Sequence, residues 1–114
     1  MFPDNIKKND KAAINEFLEE LRFQFGNRVV SVKIYGSKVA GTDSVESDID
    51  ILIVFKKIPN RLQINRTLSK IESQLNIKYG VLVSSYPVEK KYFSECSNLP
   101  FIQQVIKNGI SLWQ

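Results

Sequence analysis

The sequence predicts an α+β fold, a small mixed β-sheet with helices packed on it. Two observations carry this. Apolar residues recur at helical spacing in two separate segments, and the run Ile49–Phe55 between them is apolar on both faces apart from Asp50, as a central strand must be. The resulting order is helix, strand, loop, strand, helix, strand, helix, strand, which suits helices laid on a sheet. At 114 residues and 43% hydrophobic content, one domain spanning 1–114 with an ordinary core is expected.

Taken in order, Ile14, Phe17, Leu18, Leu21 and Phe25 form the apolar stripe of a helix from about Asp10 to Phe25. Asn9 or Asp10 can cap its start, and Gly26 before Asn27 ends it. Val29–Tyr35 is β-branched and alternating enough for a strand, which Gly36 closes. Thr42 to Ser47 is small and polar and reads as loop, and Ile49–Phe55 follows as the central strand. Lys56 to Asn60, with Pro59, forms a turn, after which Leu62, Leu68, Ile71 and Leu75 mark a second helix. A third strand is expected over about Lys78 to Ser85. Val88 to Cys96 has no clear assignment, Pro100 opens a short helix to Asn108, and Gly109 releases a last strand, Ile110 to Trp113.

Composition excludes several chemistries. The chain has no histidine, which removes the Ser-His-Asp triad, the Cys-His pair and the usual zinc site, so proton and metal chemistry fall to carboxylates. The lone Cys96 excludes an internal disulfide and any multi-cysteine metal site, and fits a reducing compartment. The N-terminus has no signal-peptide core and no apolar run is long enough to span a bilayer, so a soluble, cytoplasmic protein away from membranes is expected. A net charge of +4 favours a polyanionic ligand such as a nucleotide or nucleic acid, and equally describes a solvated basic surface.

The motif lies in "GSKVAGTDSVESDIDILIVF". Gly36 and Gly41 have the separation of a phosphate loop, but Thr42 stands where that loop needs lysine, and no GxGxxG is present. What remains is Gly36-Ser37, a turn able to offer backbone N–H groups and a hydroxyl to phosphate. Taken alone, such a turn only reverses the chain. Strand residues two apart share a face, so Asp48 and Asp50 project together while Ile49, Ile51 and Ile53 face the other way. Paired oxygen ligands of this kind suit Mg²⁺, with substrate phosphates completing its shell. The plainer account is a capping or surface pair at a strand start.

Gly36-Ser37, ten intervening residues and Asp48-Ile49-Asp50 between apolar positions resemble the signature of the DNA polymerase beta-like nucleotidyltransferases, above all their minimal single-domain (MNT) members. The flanking helix and the closing "PFIQQVIKNGISLW" resemble that group too. The resemblance implies a polymerase beta palm-like sheet and Mg²⁺-dependent transfer of a nucleoside monophosphate from a nucleoside triphosphate, ATP foremost, to a hydroxyl. It also implies that Asp48 and Asp50 are the catalytic, metal-holding carboxylates and that Gly36, Ser37 and Lys38 bind the nucleotide phosphates. Small proteins of this type resemble antitoxins of toxin–antitoxin pairs whose partner, and acceptor, is an HEPN-type toxin.

One departure stands out. Active members carry a third carboxylate on the next strand, yet nothing between Glu72 and Glu89 is acidic. The matching position is Gly80, or Val81 or Val83 under another register, and Glu89 is a poor substitute base. The rival is therefore a weakened or inactive nucleotide-binding module that acts by binding a partner protein. A nucleic-acid-binding domain ranks last, because no basic stretch is interleaved with aromatics.

Overall fold

The computed structural model describes residues 7–35 and 49–113. Four strands, β1 (Val29–Tyr35), β2 (Ile49–Phe55), β3 (Val83–Glu89) and β4 (Ile110–Trp113), form a sheet in the order β3-β2-β1-β4. β1 is antiparallel to β2 and β4, and β2 is parallel to β3, so the sheet is mixed. Helices α1 (Lys8–Phe25) and α2 (Arg61–Tyr79) cover one face. The short α3 (Lys90–Glu95) and α4 (Pro100–Asn108) lie on the other, where Phe93 and Val105 meet Tyr35, Leu52 and Val54. Among the described residues, no helix is long and apolar enough to cross a membrane.

The expected stripe of α1 is buried as a unit: Ile14, Phe17, Leu18, Leu21 and Phe25 all face the sheet. Its start differs from expectation. Lys7 is the N-cap and no side chain caps the turn; Asn9 instead donates its Nδ2 to the Tyr79 carbonyl at 2.9 Å, tying α1 to the end of α2. In α2 the buried residues are Ile64, Leu68, Ile71 and Leu75, whereas Leu62 is 61% exposed. Position 64 sits one turn before Leu68; position 62 points away from that stripe. The Asn60 side chain caps this helix, accepting from the Gln63 N–H at 3.1 Å.

The third strand lies later than the sequence suggests. Helix α2 absorbs Lys78 and Tyr79 and ends at Gly80, whose φ of +68° lets its N–H reach the Asn76 carbonyl at 2.8 Å. The strand begins only at Val83. A Cβ at Gly80 would meet no atom within 4 Å, so substitution there costs conformation alone. Gly80→Ala is expected to lower stability by about 1 kcal/mol, visible as a loss of several degrees in thermal melting.

Strand β3 borders the sheet, a position that tolerates Pro87. Side chains of α2 satisfy its outer backbone groups. Glu72 Oε2 accepts from the Ser85 N–H at 2.9 Å and from the Ser85 hydroxyl, and Arg61 donates to the Pro87 carbonyl at 3.0 Å.

Between α1 and α2, Glu16 accepts from Lys78 Nζ at 2.7 Å and from the Tyr79 hydroxyl at 2.8 Å. The Lys78 bond first, then the Tyr79 bond, holds the Glu16 carboxyl below its ordinary value of 4.5, while the bond to Glu16 raises both partners. A lowered carboxyl stabilises the fold above about pH 4.5 and loses that contribution as pH falls; the raised partners contribute below about pH 10 and lose it as pH rises. The contact is exposed, so its contribution is small and screened by salt. Glu16→Gln is expected to flatten the acid side of the stability–pH profile, checked by urea titrations between pH 3 and pH 7.

Candidate functional site

Asp50 is the second residue of the central strand, and the pleat sends it to the face of Leu52 and Val54, away from the α1/α2 core that buries Ile49, Ile51 and Ile53. It is half-buried. Its Cα partners are Tyr35 on β1 and Ser84 on β3. A carboxylate thus opens the strand between a phenol and a hydroxyl position.

Tyr35 is buried, with Phe101 of α4 edge-on at 5.5 Å between ring centres and Tyr86 of β3 at 6.4 Å. Burial foremost, then the charge of Asp50 and then Tyr86, pushes the Tyr35 hydroxyl well above the ordinary phenol range. It is neutral at physiological pH. An aromatic wall therefore lines the Asp50 side of the sheet, and its outer rings, Tyr86 and Phe101, are about half exposed.

Gly36, Ser37, Lys38 and Asp48 lie outside the described residues. Tyr35 and Ile49, the described residues on either side of 36–48, both lie at the Asp50 end of the sheet, where Tyr35 pairs with Asp50.

The parallel register corrects the expected place of a third carboxylate. Gly80 caps α2 and is not in the strand, Val81 packs against the α1/α2 core, and Val83 is buried toward that same core. The residue beside Asp50 is Ser84. Sequence reasoning missed it because the alignment depends on where α2 ends, and the one signal available was Gly80 as a helix stop. Glu89 lies at the far end of β3, opposite Phe55, and its Oε2 accepts from the Ile58 N–H at 2.8 Å; it secures a turn and stands away from Asp50.

Among the described residues, no group of three or more His, Cys, Asp or Glu is placed to hold a metal. Asp50 is nevertheless a suitable hard-oxygen donor, half-buried at a strand end with a serine beside it, and Mg²⁺ takes one or two protein carboxylates.

Residues 14–111 match the Nucleotidyltransferase domain family. The chain belongs to that family. Two relatives from Methanocaldococcus jannaschii, both named as candidate protein adenylyltransferases, are similar to it. MJ1305 is 31% identical over 90 residues, 78% of this chain and 61% of its own length; MJ0604 is 29% identical over 105 residues, 92% of this chain and 99% of its own. Solved structures share the fold. A chain from a toxin–antitoxin crystal structure with AMP-PNP superposes at a TM-score of 0.63 and 22% identity, covering 87% of this chain and 71% of that one. A chain from a complex of tri-AMPylated Shewanella oneidensis HEPN toxin with MNT antitoxin gives 0.57 and 18%, covering 90% and 71%. This nucleotidyltransferase domain thus has the expected mixed sheet with helices packed on it, and the structure shows them on both faces.

Proposed function

We propose that this nucleotidyltransferase domain, with Mg²⁺, transfers an adenylyl group from ATP to a hydroxyl on an HEPN-type toxin protein and so acts as the antitoxin of that pair. The observation that carries the reading is Asp50 itself, a half-buried carboxylate opening the central strand of a nucleotidyltransferase fold, with Tyr35, the residue that precedes Gly36 in sequence, as its Cα partner. The names of relatives as protein adenylyltransferases and the AMPylated HEPN toxin in a similar complex support the acceptor class.

In this reading the acceptor oxygen attacks the α-phosphorus, the bond to the bridging oxygen breaks, and pyrophosphate leaves. Asp50 and Asp48 would hold Mg²⁺ through their carboxylate oxygens, while Gly36 and Ser37 would offer an N–H and a hydroxyl to the β- and γ-phosphates, and Lys38 would add positive charge. The metal would neutralise charge on the triphosphate. The position beside Asp50 is a serine and not a carboxylate, so no acid there takes the acceptor proton, which passes to solvent, and transfer is slow.

The decisive assay incubates the protein and its cognate partner with Mg²⁺ and ATP labelled in the α-phosphate. Slow, Mg²⁺-dependent labelling of the partner is expected. The serine at position 84 favours one rival, a binding module with weakened or lost catalysis. That rival takes over if the partner binds tightly, is never labelled, and binds equally well after Asp50→Asn.

A further inference from the structure

The end of the sheet remote from Asp50 collects positive charge that no single stretch of sequence displays. Strands β2 and β3 run parallel and finish together, Phe55 opposite Glu89, and each is followed at once by a lysine pair, Lys56-Lys57 and Lys90-Lys91. The antiparallel β1 starts at the same end, where the Lys56 N–H bonds the Arg28 carbonyl at 2.9 Å. All four lysines and Arg28 are exposed, and no described carboxylate forms an ion pair with the lysines.

A hollow of about 490 Å³ opens beside them, lined by Ile58, Arg61, Pro87, Val88, Glu89 and Tyr92. Its chemistry is mixed. Ile58, Pro87 and Val88 are the apolar part of the lining, Tyr92 is 47% exposed, and Arg61 is steadied by its bond to the Pro87 carbonyl. The one carboxylate, Glu89, accepts from the Ile58 N–H.

We propose that this basic end is a binding surface for single-stranded nucleic acid, with the lysine pairs and Arg28 on the phosphates and a base stacked on Tyr92 in the hollow. Cations alone would serve an acidic peptide equally well. The exposed ring in a partly apolar hollow with room for a nucleobase, lined by residues adjoining the two lysine pairs in sequence, is what favours a nucleobase, since aromatic stacking beside a cationic track is how such strands are held without base-specific contacts. The surface is separate from the Asp50 site, so binding there does not depend on adenylyl transfer.

Fluorescence anisotropy with a labelled single-stranded RNA of mixed sequence tests it on the full chain. The fourfold variant Lys56→Ala/Lys57→Ala/Lys90→Ala/Lys91→Ala is expected to weaken binding and to reduce the salt slope by about 0.7 for each phosphate that is no longer neutralised. Tyr92→Ala is expected to weaken binding on the order of 10-fold with the slope unchanged. Lys7→Ala/Lys8→Ala, at the start of α1, serves as the control and should bind as the parent does. Circular dichroism confirms that each variant is folded. Absence of binding at low salt, an equal loss in the Lys7/Lys8 control, or displacement of the RNA by poly-glutamate with no effect of Tyr92→Ala would overturn the proposal, the last result in favour of an acidic protein partner.

Discussion

Asp50→Asn is expected to abolish adenylyl transfer to the partner, and Ser84→Asp to accelerate it on the order of 10²- to 10⁴-fold, the usual share of general acid–base catalysis. The two changes act on neighbouring positions of one face, since Asp50 and Ser84 are Cα partners in the parallel pair β2–β3. Asparagine keeps the shape of the Asp50 side chain but removes the charge that would hold Mg²⁺, so positioning of the triphosphate fails. Aspartate at 84 would put a carboxylate where an acceptor hydroxyl can be deprotonated. The check is the initial rate of label transfer to the cognate partner for parent and both variants. Gly80→Asp is the control that separates geometry from charge: Gly80 ends α2 outside the strand, so an acid there should not raise the rate. Acceleration by Gly80→Asp with none from Ser84→Asp would mean that the active molecule pairs β2 and β3 in a different register.

Phe17→Ala is expected to cost about 3–5 kcal/mol, a large part of the 5–15 kcal/mol that holds an ordinary domain together. Phe17 is fully buried at the middle of α1 and belongs to the cluster in which α1 and α2 cover Val32, Ile34, Ile51 and Ile53. Truncation removes a ring from between a helix and a sheet whose backbones are fixed by other contacts, so the space cannot close fully. Urea denaturation followed by far-ultraviolet circular dichroism measures the change. A loss under about 1 kcal/mol would show that α1 contributes little to covering this face.

Much of the architecture was legible in local pattern. The stripe Ile14, Phe17, Leu18, Leu21, Phe25 could be buried only on one side of a helix, and Ile49–Phe55, apolar on both faces, could lie only inside a sheet. Period-two alternation likewise set Asp50 against Ile49 and Ile51 before any contact was known. Boundaries were less legible where neighbouring propensities compete. Lys78 and Tyr79 sit in α2 because the helix continues to the first residue able to take positive φ, Gly80, and Val88 and Glu89 join β3 because pairing with Val54 and Phe55 outweighs the break at Pro87.

The sequence by itself determined the class of the fold, the identity of the central strand and the carboxylate that opens it, since these follow from periodicities of two to four residues along one chain. Tertiary structure alone decided which residues become neighbours across strands. It put Ser84, and not Gly80, beside Asp50; it packed Tyr35 against Tyr86 and Phe101; and it drew Lys56-Lys57 and Lys90-Lys91 to one end. The physical reason is register. Each pairing joins residues tens of positions apart, and a slip of one residue, which no local pattern forbids, turns every side chain of a strand to the opposite face.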